Sequence, residues 1–369
     1  MKASDLFVAQ LKEEGVEYIF GLPGEENLAL LESLRNSNIK LIITRHEQAA
    51  AFMAAAYGRL TGKAGVCFST LGPGATNLVT GVAQAQLIGA PLISISGQKA
   101  LVDNWQARFQ LVDVVRIMEP LCKKAVSIFD PGMIPTVIRN AFKHAEAEKP
   151  GAVHIELPED VAEEETDAVV QKRSEIKIPY PDPKAVEMAA SMISEAENPL
   201  IIVSSGANRK AVTEELEYFA RKTGIYLVHT QMGKGVVPDD CLYSLFATGI
   251  HARDYVNCGI DGADLIITVG YDIVEYPPYL WNRYLDKKII NIDFVESVPD
   301  RYFNPAVEVI GDIASSIRQL AAKIQEKREF PFFENTRTFI EEKNQFSFQE
   351  RLPSTPPGSC TECEKGARA

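Results

Sequence analysis

Leu41-Ile42-Ile43-Thr44-Arg45-His46-Glu47-Gln48-Ala49-Ala50 passes from an apolar, β-branched run into an alanine-rich one. The change reads as an apolar run (40–43) that breaks directly into a helix continuing to about Leu60. A carboxylate at such a junction lies at the carboxyl edge of an α/β sheet, where folds of this class bind ligands. Glu is also an ordinary first-turn residue, because its charge offsets the positive end of the helix dipole. Glu47 therefore becomes a candidate site residue only if other strand ends converge on it.

Working outward, the same strand-then-helix unit recurs. Strands are expected at 17–20, 41–44, 65–69, 92–96 and 152–157, with helices at 3–14, 26–36, 75–87 and 133–147. Repeated β-then-α units imply a parallel sheet covered on both faces, and right-handed crossovers gather the strand-end loops at one edge. From 162 to 183 the composition turns acidic, then mixed in charge with Pro179, Pro181 and Pro183, which is linker chemistry. A second unit follows, with helix 184–195, strands 200–204, 226–229, 265–269, 288–292 and 307–310, and a closing helix 312–325. The expected fold class is thus α/β: two doubly wound parallel-sheet domains, 1–161 and 184–327, joined by a linker. Beyond Arg328 the tail 328–369 includes Leu352-Pro353-Ser354-Thr355-Pro356-Pro357-Gly358-Ser359. It offers too little apolar surface to offset its ordering entropy and is expected to be disordered.

With 369 residues, 46% of them hydrophobic, the chain can build two cores. Its net charge of -12 argues against nucleic acid or an anionic membrane as partner, since both demand basic surfaces. No window approaches the roughly 20 apolar residues of a membrane span. Met1-Lys2-Ala3-Ser4-Asp5 leads into a polar-faced helix rather than a secretion signal, and the expectation is a cytoplasmic protein. Cys67, Cys122, Cys241 and Cys258 stand singly, as reduced thiols do. Cys360 and Cys363 form one CxxC without the further ligands that zinc requires, so no metal site is expected.

Three more edge motifs accompany Glu47: Phe20-Gly21-Leu22-Pro23-Gly24-Glu25, Leu71-Gly72-Pro73-Gly74-Ala75-Thr76-Asn77 and Ser96-Gly97-Gln98. Glycines in such turns allow close backbone approach to a ligand. In this order and spacing the four resemble the pyrimidine-binding domain of thiamine-diphosphate enzymes of the acetolactate synthase family. The resemblance implies that Glu47 is the catalytic carboxylate, hydrogen-bonded to the cofactor's aminopyrimidine so that the ring nitrogen can take up a proton. It further implies cofactor-binding roles for Pro23, Gly24, Pro73, Asn77 and Gln110, and substrate contacts for Phe109 and Gln110. His46 is given a packing or hydrogen-bonding role, and His144 and His154 structural ones.

The implied activity is decarboxylation of pyruvate with transfer of the hydroxyethyl group to a second 2-oxoacid, in branched-chain amino acid or acetoin formation. The alternatives are another thiamine-diphosphate 2-oxoacid decarboxylase, a pyruvate oxidase, or a non-catalytic partner. The second unit is similar to the family's central domain, which holds FAD in biosynthetic members. Gly270-Tyr271-Asp272-Ile273-Val274-Glu275-Tyr276-Pro277-Pro278 and Trp281-Asn282 look most like the catabolic, flavin-free type. Lys149 replaces the arginine that touches FAD, and the two are not equivalent, so FAD is disfavoured. Glu159 stands where biosynthetic members carry a lysine near the substrate. The resemblance covers about 1–327 and lacks the third domain, whose Gly-Asp-Gly motif holds the diphosphate through Mg²⁺. The expectation is therefore a truncated or frameshifted chain, working as a homodimer or homotetramer or with a chain that supplies the diphosphate domain. The apolar helix after Glu47 (Ala49, Ala50, Phe52, Met53, Ala56) is the expected subunit interface.

Overall fold

The computed structural model describes residues 1–102, 109–238, 240–249, 254–324 and 327–349. The chain divides into two compact units, Met1–Lys177 and Ile178–Ala369.

Unit 1 holds six parallel strands: β1 (Tyr18–Gly21), β2 (Lys40–Ile43), β3 (Gly65–Ser69), β4 (Leu92–Gln98), β5 (Lys124–Ser127) and β6 (Ala152–Pro158). Their order is β2-β1-β3-β4-β6-β5. β3, β4 and β6 are buried along their whole length, as strands covered by helices on both faces must be. The helices are α1 (Ala3–Glu13), α2 (Leu28–Arg35), α3 (Glu47–Thr61), α4 (Pro73–Leu87), α5 (Val114–Met118), α6 (Ile134–Glu146) and α7 (Glu159–Glu163). The strand order reverses at β1, so the loops leaving β1 and β3 open a crevice at the carboxyl edge.

Small residues seat α3. A Cβ on Gly81 of α4 would lie 2.4 Å from the Ala51 Cβ, one on Gly65 2.0 Å from the Ala54 carbonyl oxygen, and one on Gly58 2.1 Å from the Pro91 carbonyl oxygen. The helix therefore touches its neighbours through backbone, with Ala50, Ala51, Ala54 and Ala55 buried beneath it. Its C-terminus stops at Gly62 in the left-handed conformation, φ 71°, which glycine adopts without a side-chain penalty.

Unit 2 repeats the plan with β7 (Pro199–Val203), β8 (Tyr226–His229), β9 (Ser244–Ala247), β10 (Leu265–Val269), β11 (Lys288–Asp293) and β12 (Val307–Ile310). The sheet order is β12-β11-β10-β7-β8-β9, all parallel. Counted from its own first strand this is 6-5-4-1-2-3, the dinucleotide-fold order, with the switch point between β7 and β10. Around it lie α8 (Pro183–Glu195), α9 (Lys210–Thr223), α10 (Asn257–Asp261), α11 (Ile313–Lys323) and α12 (Pro331–Gln349).

The expectation of two α/β parallel-sheet domains is met, with differences in detail. Edge strands β5 and β9 were not anticipated. The segment expected as a loose linker lies along unit 1: Arg173 pairs with Glu146 at 2.8 Å, and Gln10 donates to the Gln171 carbonyl at 2.9 Å. Order also continues past Arg328, against the expectation of a disordered tail from that point. Pro331 opens α12, and Phe330, Phe333 and Ile340 are buried in the unit 2 core. Cys360 and Cys363 lie outside the described residues. Cys67, Cys122 and Cys241 are free thiols. Among the described residues no helix is long and apolar enough to cross a membrane.

Candidate functional site

Four loops of unit 1 meet at the carboxyl edge of its sheet. After β2 the chain turns at once into α3, capped by His46, whose Nδ1 accepts from the Gln48 backbone N–H at 3.1 Å. That bond gives His46 the local structural role expected of it. Glu47 is then the first residue of the helix and is 6% exposed. A buried carboxylate is costly unless it is compensated, and here the helix N-terminus offsets its charge.

One further partner comes from α4. The Asn77 Nδ2 donates to Glu47 Oε2 at 2.9 Å. Oε1 makes no hydrogen bond among the described residues; it lies 3.3 Å from where a Cβ of Gly74 would sit. The Thr44 hydroxyl at the same junction is also buried without a partner among the described residues. The junction thus presents polar acceptor and donor capacity over bare glycine backbone, which suits a planar heteroaromatic ring with exchangeable N–H groups.

The Gly72-Pro73-Gly74 turn is shaped for close approach. Gly72 has φ 52° and caps α4, with Pro73 opening the helix, where its missing N–H is no loss. A side chain on Gly72 would begin 2.2 Å from the Gln110 carbonyl oxygen. Gln110, itself at φ 57°, is thereby brought against the cradle. Phe109 is not: it is 76% exposed, and residues 103–108 before it lie outside the described residues. Pro23 is exposed, while Gly24 packs on Thr70, its Cβ position 2.4 Å from the Thr70 Cβ.

Thr70 links the cradle to a network that the sequence motifs do not reveal. Its methyl carbon would lie 2.8 Å from a Cβ on Gly74, and its hydroxyl donates to the Glu26 carboxylate. Lys99 closes on Glu26 at 2.9 Å. Burial alone would push Glu26 up, but the hydrogen bonds from Thr70 and Lys99 together outweigh it and hold the carboxyl below its usual range. Hydrogen bonding to Glu26 is likewise the main reason the Lys99 ammonium is held above its usual range. Asn27 donates to the Ser69 carbonyl at 2.7 Å, tying the β1 loop to β3. Glu159 and Asp160, at the start of α7, accept from the backbone N–H groups of Ala100 (3.2 Å) and Leu101 (2.8 Å). The only available signal was the clustering of these residues at strand ends.

Two family models match this arrangement. The N-terminal binding domain of thiamine pyrophosphate enzymes matches residues 1–117, and the central domain of the same enzymes matches residues 186–320. The chain belongs to the thiamine pyrophosphate enzyme family. It is similar to acetolactate synthase of Bacillus subtilis, 32% identical over 93% of this chain and 61% of that relative. It is 34% identical to the catabolic acetolactate synthase of Raoultella terrigena, over 88% of this chain and 58% of the relative. The chloroplastic enzyme of Arabidopsis thaliana is 29% identical over 96% of this chain and 55% of its own length. The chain thus spans about three-fifths of the length of these relatives or somewhat less, and it resembles thiamine pyrophosphate enzymes of the acetolactate synthase kind over that part.

Proposed function

We propose that the chain supplies the aminopyrimidine half of a thiamine-diphosphate site in an acetolactate synthase-like enzyme, which decarboxylates a 2-oxoacid and joins the two-carbon fragment to a second one. The observation that carries this reading is Glu47: a buried carboxylate at a helix N-terminus, steadied on one oxygen by Asn77 and open on the other over Gly74. When bound, thiamine diphosphate supplies a carbanion centre on its thiazolium ring. Glu47 would accept from a ring N–H and so hold a proton at the pyrimidine, Asn77 would keep that carboxylate in place, and Gly72, Pro73 and Gly74 would let the ring approach.

Among the described residues no three acidic, histidine or cysteine side chains are grouped to hold a metal. We propose that another domain or chain holds the diphosphate and its Mg²⁺. We propose a cytoplasmic homodimer or homotetramer formed through the outer face of α3, where Phe52 and Met53 are exposed. Ala50, grouped with them on sequence grounds, faces the core instead.

A specific observation favours a second reading, a 2-oxoacid decarboxylase. Beside the Glu26–Lys99 pair the rim carries the further carboxylate of Glu159, a poor setting for the negative charge of a second 2-oxoacid. Calorimetric titration with thiamine diphosphate and Mg²⁺, with and without a chain bearing the diphosphate domain, tests the site. Analysis of the products from pyruvate separates the two reactions. If neither preparation binds the cofactor, both readings fall and the non-catalytic partner stands.

A further inference from the structure

The switch point of unit 2, between β7 and β10, is where this strand order receives a dinucleotide, because the loops leaving the two central strands normally diverge. Here they meet. The Gly206 N–H donates to the Gly270 carbonyl at 2.9 Å. A Cβ on Gly270, at φ 56°, would lie 2.2 Å from the Ala207 nitrogen, and one on Gly206 would lie 2.8 Å from the Gly270 Cα. Backbone lies on backbone across the crevice.

A carboxylate fills what remains. Glu275, in the turn after β10, accepts from the Ser204 hydroxyl on Oε2 at 2.6 Å and from the Met232 backbone N–H on Oε1. The Ser204 hydroxyl also accepts from the Asp272 N–H at 3.3 Å. These donors come from the ends of β7, β8 and β10. A hydroxyl and a main-chain N–H converging on one anion are what such a crevice offers a phosphate. On the β11 side, Tyr271 packs on Phe303 with ring centroids 5.2 Å apart and accepts from the Trp281 Nε1 at 2.9 Å. Both Glu275 oxygens and the Tyr271 hydroxyl are thus committed to partners within the unit.

We infer that Glu275 is the resident anion of this crevice: the chain's own carboxylate stands where the fold would receive a nucleotide phosphate. The residues present do not fit FAD, and unit 2 acts as a closed structural domain. This assignment is independent of the function proposed for Glu47.

The test uses the full chain and its Glu275→Gly variant. Removing the carboxylate leaves two donors facing a small anion-sized gap, so the thermal midpoint of unit 2 should fall by roughly 3–8 °C. Formate or acetate should restore much of the loss along a saturating curve, with chloride at equal ionic strength restoring none. The unmodified chain should give no binding heat with FAD or ADP. Stoichiometric binding of either nucleotide by the unmodified chain would overturn the assignment. So would a Glu275→Gly variant that melts like the parent, or one whose loss neither carboxylate repairs. Should that variant not fold, Ser204→Ala and Glu275→Gln alone and together decide: overlapping losses support the pairing, and additive losses sink it.

Discussion

Each sheet carries at its carboxyl edge a glutamate held by short polar contacts, and the two are used differently. Glu47 has one oxygen bonded to Asn77 and the other turned to bare glycine backbone. Glu275 has both oxygens engaged within its own unit. The glycines differ in the same sense: Gly74 clears space beside a carboxylate, whereas Gly206 and Gly270 bring two loops into contact. One architecture thus yields a receptive crevice and a sealed one, and the deciding quantity is the spare hydrogen-bonding capacity left at the strand ends.

The sharpest way to break this comparison is to neutralise each glutamate in turn. Glu47→Gln should reduce cofactor C2 proton exchange by about 10²–10⁴-fold with the diphosphate domain supplied, and Glu275→Gln should leave it unchanged. Equal effects from the two would erase the distinction.

Acid should separate the units next. His154 is fully buried in unit 1, its ring nitrogens engaged by Ser94 (2.9 Å) and Ser96 (3.1 Å), and burial pushes its pKa down to about 3. The unfolded chain takes up that proton from near pH 6.5 downward, so the folded state loses stability between pH 6.5 and 3. The loss reaches about 3 kcal/mol by pH 4. The unit 1 melting transition should therefore drop on acidification, and His154→Gln should flatten the drop. An unaltered slope in that variant would exclude His154 as the cause.

Glycine replacements sharpen the contrast further. Gly270→Ala meets both a positive φ and packed backbone, and should destabilise unit 2 by about 2–3 kcal/mol in denaturant titration. Gly72→Ala presses on a surface loop that can yield, so it should cost about 1 kcal/mol while weakening cofactor binding. The smallest effect is expected from Asn77→Ala. Loss of one partly exposed hydrogen bond to a carboxylate should lower cofactor affinity by about tenfold or less, with the melting temperature nearly unchanged.

Much of the fold was legible because its central strands are continuous apolar runs, such as Leu200-Ile201-Ile202-Val203, bounded by turn residues. β5 and β9 were not, because edge strands such as Lys124-Ala125-Val126-Ser127 bury only part of each side chain and show no clear period. α12 could have been found: Pro331 stands at its first position, and Phe333 and Ile340 are seven apart on one face. At the site, Glu47, Gly74 and Asn77 were readable as motifs fixed by local backbone. The Thr70, Glu26 and Lys99 network was not, since it exists only where three separate loops meet. Glu275 stood in a quoted stretch, but its partners Ser204 and Met232 come from distant strand ends that sequence spacing does not connect.

The seating of α3 bears on how Glu47 answers to physical stress. Where Gly81 meets Ala51 and Gly65 meets Ala54, no long side chain can change rotamer and little void remains to be expelled. Interiors of this density are poorly compressible, and pressure acts on proteins chiefly through their voids. Hydrostatic pressure should reach the looser edges of the molecule before it moves this joint, leaving the carboxylate in register while the surrounding loops yield.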